Sequence, residues 1–170
     1  MDRLRIAVAG GSIGGLTAGV LLHELGHDVH VFERSTAALQ ARGAGIVVLP
    51  MTEKYFTDRG GGFDSDGADG GEVALTLTNW SYVDAAGNLT SESPTHNRFS
   101  SWNTVYRALL EVLPAERYHL SHQVTGFDQT AETVTVRFSD AASHECDLLV
   151  GADGIASTVR SVVEPHTEPE

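Results

Sequence analysis

The chain of 170 residues has a single cysteine, Cys146. An internal disulfide is therefore excluded, and a lone cysteine fits a reducing cytoplasm. Cations are also scarce: 11 Lys and Arg stand against 23 Asp and Glu, a formal net charge of −12 with His neutral. That balance argues against nucleic acid and against an anionic membrane surface as partners, although backbone amides can still hold a phosphate locally. No apolar run approaches the roughly 20 residues that a membrane helix needs. The opening Met-Asp-Arg-Leu-Arg leads straight into a predicted strand, with no signal-peptide pattern. The composition that remains, 41% hydrophobic and 20% charged, predicts a soluble globular chain with one domain's worth of core.

Glycine, by contrast, is abundant and placed with a pattern. A β-branched run over Leu4–Ala9 meets a cluster of Gly10, Gly11, Gly14 and Gly15. An apolar stretch at helical spacing follows, over Ile13–Leu25. This is the strand, tight turn and helix of a dinucleotide-binding βαβ unit. Gly10 suits the sharp turn, while Gly14 and Gly15 leave room for a pyrophosphate against the N-terminus of the helix, whose free N–H groups and dipole favour anions. The usual middle glycine of G-x-G-x-x-G is Ser12, a small residue whose hydroxyl can still meet a phosphate. Gly26 is placed to end the helix in a left-handed conformation. His27–Glu33 then reads as a second strand with Val29 and Val31 on one face. Glu33 lies 23 positions after Gly10, near the roughly 20 expected of the acid that takes the ribose hydroxyls.

His23-Glu-Leu-Gly-His27 matches the H-E-x-x-H zinc pattern, which needs both histidines on one face of a continuous helix. Gly26 should stop that helix, so no metal site is expected and His23 reads as a surface residue. After Arg34-Ser-Thr comes a short helical stretch, then a glycine loop over Arg42–Ile46, a strand over Ile46–Leu49 and a helix near Thr52–Asp58. The Gly/Asp-rich segment from Arg59 to Glu72 reads as a mobile loop, because Asp64, Asp66 and Asp69 miss the EF-hand spacing. Alternation predicts strands over Val73–Thr78 and Trp80–Val83, with a turn at Ala86–Asn88.

Ser100–Leu113 reads as a helix capped at Ser101 or Asn103, with Val105, Leu109 and Val112 or Leu113 as its buried stripe. Arg107 on it is a surface cation or a cofactor ligand. Tyr118–Leu120, Val124–Asp128 and Thr133–Phe138 read as short strands. His119 and His122 lack a third ligand at usable spacing and read as structural or surface residues. Cys146–Val150 is a continuous apolar run, as in a strand buried on both faces. It empties into a second glycine turn over Gly151–Arg160. Glu164–Glu170 reads as a frayed tail.

Three stretches, Gly10–Glu33, Arg42–Ile46 and Asp147-Leu-Leu-Val-Gly-Ala-Asp-Gly-Ile-Ala-Ser-Thr-Val-Arg160, together resemble the FAD-dependent aromatic hydroxylases. These are the single-component flavoprotein monooxygenases that include p-hydroxybenzoate hydroxylase. The Ser100–Arg107 helix and the Gly-Gly-Ser-Ile-Gly-Gly turn are most similar to the 2,6-dihydroxypyridine 3-hydroxylase branch. The likeness spans nearly the whole chain and corresponds to the N-terminal part of that family.

The resemblance implies an α/β fold: a Rossmann-like FAD-binding βαβ unit with a parallel sheet, plus a small antiparallel β segment, incomplete relative to the family. Residues 1–170 would form one FAD-binding portion, with about 59–100 contributing to a small substrate-side sheet and mobile loop. By position, Gly10, Ser12, Ile13, Gly14 and Gly15 would hold the FAD pyrophosphate and Glu33 the adenosine ribose, with Arg34 flanking the adenine. Arg42 and Gly45 would line the mobile region of the flavin, and Arg107 would reach the cofactor from its helix. Asp153 and Gly154 would lie beside the pyrophosphate and the approach of NAD(P)H, the reductant. The implied activity is hydroxylation of a small aromatic or hydroxypyridine ring by way of a flavin hydroperoxide, chemistry that belongs to the cofactor, so no catalytic side chain is named. The family's later Gly-Asp motif and much of its substrate-binding sheet have no counterpart here. The expectation is a large exposed apolar surface, met by a second chain or another copy, and little turnover by this chain alone. The alternative is a nucleotide-binding module without turnover that holds FAD or only its ADP half.

Overall fold

The computed structural model describes residues 2–39, 45–49, 54–55, 58 and 75–167. They fall into two compact units, one formed by Met1–Gln40 with Tyr106–Glu170, the other by Ala41–Val105.

The first unit is built on a parallel sheet. Its strands are β1 (Arg5–Ala9), β2 (Asp28–Phe32), β8 (Tyr118–His119) and β12 (Leu148–Gly151), in the order β12-β1-β2-β8. Ile6 pairs with Val29 and Val8 with Val31. Period-two alternation puts these four side chains on one face, and none is more than 1% exposed. Helix α1 (Ile13–Glu24) buries Gly15, Leu16, Gly19 and Val20 and packs on β1 and β2. Burying each such aliphatic side chain is worth about 1.5–3 kcal/mol.

The other face of the sheet carries Ala7, Ala9 and Phe32. They share a core with Val124, Val134, Val136, Phe138, Cys146 and Val159. Most of these come from an antiparallel sheet of β9 (Val124–Gln129), β10 (Val134–Phe138) and β11 (Ser143–Cys146). The layers are thus helix, parallel sheet and antiparallel sheet, with a short closing helix, α3 (Thr158–Val163).

The second unit holds β3 (Gly45–Val48), β4 (Leu75–Thr76), β5 (Asn79–Val83), β6 (Leu89–Pro94) and β7 (Arg98–Ser101). β3, β7 and β4 form one antiparallel sheet and β5–β6 a separate hairpin. The hairpin turn contains Gly87 at φ +85° and the Asp84 carboxylate, which accepts from the Ala86 and Asn88 N–H groups. Helix α2 (Trp102–Val112) starts in this unit and continues in the first. Ser101 caps it, its hydroxyl accepting the Thr104 N–H at 3.0 Å. Arg42, most of the helix near Thr52–Asp58 and the Arg59–Glu72 segment with Asp64, Asp66 and Asp69 lie outside the described residues.

Several sequence expectations change. The Cys146–Val150 run is two strands, with Asp147 between them holding the Arg5 guanidinium and backbone N–H. β12 is an edge strand and Leu148 is 41% exposed, so it is not buried on both faces. The short helical stretch expected after Arg34-Ser-Thr shows a bend at residue 37 and no helix at 38–39, its remainder lying outside the described residues. There the Glu33 carboxylate draws in Ser35, and the Leu39 N–H bonds the Tyr106 hydroxyl instead of a carbonyl one turn back. The stripe of α2 is buried at Val105 and Leu109 and continues to Leu113 just past its end, as one alternative expected; Tyr106 joins it and Val112 is exposed. His23 is half-buried, with its Nδ1 enclosed and unpartnered.

Candidate functional site

β1, β2 and β12 are parallel, and their carboxyl ends meet on one edge of the sheet at Ala9, Phe32 and Gly151. The chain moves outward from β1 to β2 and β8, then returns to place β12 on the opposite side of β1. The carboxyl ends at this reversal of strand order are the position at which open α/β sheets bind ligands.

The turn from β1 into α1 fills that position. Gly10 adopts φ +100°, and a Cβ there would collide with the Ala152 carbonyl of the neighbouring turn. A Cβ at Gly15 would strike the Gly10 carbonyl, so the helix starts tight against the strand end. Gly14 differs: a Cβ there would meet nothing within 4 Å, so this side of the turn is open. The first bond into the helix runs from the Leu16 N–H to the Ser12 carbonyl at 2.8 Å. The N–H groups of Ser12, Ile13, Gly14 and Gly15 precede it and have no acceptor among the described residues. The Ser12 hydroxyl makes no cap hydrogen bond either. Unspent donors at a helix N-terminus beside an open face fit a pyrophosphate.

Glu33 follows β2 and is 6% exposed. Its Oε2 accepts the Gly11 N–H at 2.8 Å; its Oε1 accepts the Ser35 N–H at 2.9 Å and the Ser35 hydroxyl at 2.8 Å. Burial pushes its pKa up, but these hydrogen bonds, with the nearby Arg34 cation, hold it below the usual carboxylate value. A carboxylate offers about four lone-pair sites. Three are filled from within, which leaves one on Oε2 for an incoming hydroxyl.

The second glycine turn has a different internal job. The Asp153 carboxylate accepts the Thr158 N–H at 2.7 Å and the Val159 N–H at 3.2 Å, and the Ser157 hydroxyl donates to it. Ser157 in turn accepts the Arg160 N–H at 2.9 Å. Asp153 is thus committed to holding the start of α3. Its backbone is packed against Gly10, and Gly154 beyond it adopts φ +86° with open space around it.

The structure therefore brings Gly10, Ser12, Ile13, Gly14, Gly15, Glu33, Asp153 and Gly154 to one end of the parallel sheet. Arg34 is exposed beside Glu33. Arg107 is exposed on α2, within the first unit, and Gly45 lies in the second unit, opposite Ser101 in β3–β7. Arg42 lies outside the described residues. Sequence reasoning missed Ser35, Tyr106 and Tyr118. The Tyr118 hydroxyl donates to the Gly11 carbonyl at 2.9 Å and meets the Tyr106 hydroxyl at 3.2 Å. No spacing rule marks a tyrosine opening a two-residue strand. Only its parallel pairing with Val31 places it next to the turn.

A family model described as an FAD binding domain matches residues 3–169. The 2,6-dihydroxypyridine 3-monooxygenase of Paenarthrobacter nicotinovorans is 42% identical over 157 residues, covering 92% of this chain and 38% of that protein. The solved 2,6-dihydroxypyridine-3-hydroxylase of Arthrobacter nicotinovorans superimposes with a TM-score of 0.87 at 40% identity, covering 99% of this chain and 41% of that one. A variant of Klebsiella pneumoniae HpxO, complexed with FAD, superimposes with a TM-score of 0.78 at 27% identity, covering 97% and 43%. The chain spans about two fifths of the length of these relatives.

Proposed function

The chain belongs to the FAD binding domain family, and from that premise we propose that it is the cofactor-holding part of an NAD(P)H-dependent flavoprotein monooxygenase acting on a small aromatic or hydroxypyridine ring. The observation that carries the reading is the glycine turn at the strand-order reversal, with four unspent N–H groups facing an open side at Gly14. The likeness to a 2,6-dihydroxypyridine 3-monooxygenase supports the substrate class.

The N–H groups of Ser12 to Gly15, with the Ser12 hydroxyl, hold the pyrophosphate through hydrogen bonds and the positive end of α1. Glu33 takes a ribose hydroxyl on its remaining Oε2 site, and Arg34 flanks the adenine. Asp153 fixes the backbone that closes the other side of the turn, so that Gly154 can lie close to the cofactor. Arg42 and Gly45 are assigned to the mobile region of the flavin, and Arg107 reaches the cofactor from its helix. Bound FAD supplies electron transfer from NAD(P)H and the oxygen chemistry; the protein binds, orients and excludes water. No side chain is given a catalytic role.

Exposed Leu148, Ile155, Val162 and Val163 in the first unit support contact with a second chain or another copy. Among the described residues no helix is long and apolar enough to cross a membrane. A cytoplasmic setting rests on the single buried Cys146. A second reading, a module that binds the ADP half without turnover, is favoured by one fact: every described residue at the glycine turn addresses the ADP half.

The test is to purify the chain with FAD and record its visible spectrum. NAD(P)H oxidation is then followed with and without a hydroxypyridine or a phenol. Retained flavin with substrate-stimulated oxidation supports the monooxygenase. Retained flavin or ADP without oxidation supports the module. A folded chain that binds neither FAD nor ADP refutes both.

A further inference from the structure

Three hydrogen bonds behind the glycine turn have an assignable direction. The Tyr118 hydroxyl has one proton, and it donates that proton to the Gly11 carbonyl. The bond between the two tyrosine hydroxyls must then take its proton from Tyr106, whose oxygen in turn accepts the Leu39 N–H at 3.1 Å. The relay therefore runs one way: Leu39 N–H to Tyr106, Tyr106 to Tyr118, Tyr118 to Gly11.

Gly11 is held from both ends, since its own N–H donates to Glu33. The fit leaves no slack, because a Cβ on Gly11 would collide with the Tyr118 hydroxyl. Every described peptide bond is trans, and in a planar trans peptide the C=O and N–H point to opposite sides. Drawing the Gly11 carbonyl inward onto Tyr118 turns the Ser12 N–H of the same peptide outward. That N–H has no acceptor among the described residues. Burial, the Tyr106 hydroxyl and the Glu33 carboxylate push the Tyr118 phenol well above its ordinary pKa, so it stays a donor throughout the accessible pH range.

We propose that Tyr118 is a positioning residue for dinucleotide binding: by holding the Gly11 carbonyl, it aims the Ser12 N–H at the pyrophosphate. The proposal rests on the FAD reading of the turn. It assigns Tyr118 to the phosphates, not to the ribose or the base, so the loss of its hydroxyl should be felt only by phosphate-bearing ligands.

Calorimetric titration of the full chain with FAD, ADP and adenosine tests this, using the isosteric Tyr118→Phe and, as a second variant, Tyr106→Phe. The expected result is roughly fivefold weaker binding of FAD and ADP by Tyr118→Phe, the size of one net hydrogen bond, with adenosine affinity unchanged. Tyr106→Phe leaves the Tyr118 proton on Gly11 and should weaken ADP by a smaller factor. Unchanged ADP affinity in Tyr118→Phe overturns the proposal. So does an equal loss for ADP and adenosine, which marks a merely structural role, or a larger loss in Tyr106→Phe than in Tyr118→Phe. An unsubstituted chain that binds neither FAD nor ADP overturns the FAD reading itself, and this inference with it.

Discussion

Gly10 carries two constraints that no other residue type meets together. Its φ of +100° is strained for any side chain, and its missing Cβ leaves space for the Ala152 carbonyl. Gly10→Ala should therefore destabilise the fold by at least about 1–2 kcal/mol from the backbone alone, with the collision adding to that. Thermal melts should show a lower midpoint, and FAD retention should be lost together with it. Glu33 shows the reverse case, a residue whose sequence role and structural role overlap. Glu33→Ala would strand the buried Gly11 N–H and the Ser35 donors, each unsatisfied group costing about 1–3 kcal/mol. The prediction is a clear fall in unfolding free energy without any ligand present. A Glu33→Ala chain with unchanged stability but weaker FAD binding would show that the carboxylate serves only the ribose.

At the scale of elements, histidines link the two sheets of the first unit. His30 Nε2 faces the Arg117 guanidinium at 2.8 Å, and a guanidinium only donates, so the His30 proton sits on Nδ1. Nδ1 lies 2.7 Å from His119 Nε2, which must accept. Both rings are then neutral, stacked with Phe32 and close to His144. Burial first, then the neighbouring histidines and Arg117, lower His119 to about 4; burial likewise lowers His30 and His144, with Asp28 opposing in both. In the unfolded chain these imidazoles take up protons from about pH 6.5 downward. Between about 6.5 and 4 the unfolded state binds more protons, so stability is full above that window and falls as the pH drops through it. Glu33, Asp28 and Asp147, all with lowered values, keep their contribution above the ordinary carboxylate range and lose it as the pH falls through that range and below it. The thermal midpoint should therefore fall between pH 6.5 and 4.5, by roughly 2–4 °C per kcal/mol. His119→Phe should flatten that slope even though it lowers the starting value; an unaltered slope would remove His119 from the account.

The histidine group also shows what the sequence could not reveal. Strand β1, helix α1 and strand β2 were legible because their signals are local: alternation, helical spacing and a glycine at each boundary. The Cys146–Val150 run misled because a mostly apolar run does not disclose whether both faces of its strand are covered. Asp147 within it was the overlooked signal, paired with Arg5 far away in sequence. His30, His119, His122 and His144 converge only through sheet pairing, as do Tyr118 and Gly11. Asp153 was legible as part of a motif, yet its capping of α3 appears only in three dimensions. Asp153→Ala should leave the Thr158 and Val159 N–H groups without their acceptor, each at about 1–3 kcal/mol if unsatisfied, seen as faster amide exchange over Thr158–Val163. Unchanged protection there would mean that Ser157 caps the helix alone.

For the whole molecule, the division into two units makes a prediction that the chain order hides. All four strands of the parallel sheet, the glycine turn, Glu33 and the Tyr118 relay belong to the unit made of Met1–Gln40 and Tyr106–Glu170. The two ends left by removing the other unit are close, because the Leu39 N–H bonds the Tyr106 hydroxyl at 3.1 Å. A short Gly/Ser linker from Gln40 to Trp102 should therefore close the gap while keeping α2 whole, and the closure entropy of a short flexible loop is modest. The core that such a chain retains includes Ile6, Val8, Val29, Val31, Leu109, Val136 and Cys146, each no more than 1% exposed. It should fold, bind ADP as the full chain does, and show the same acid-side loss of stability, since every group in that argument is retained. Its preference for FAD over ADP should weaken, because Arg42 and Gly45, assigned to the flavin's mobile region, are gone while Arg107 remains on α2. A folded deletion chain that no longer binds ADP would place part of the adenosine site in residues 41–101 and overturn the assignment of that half to the glycine turn and Glu33.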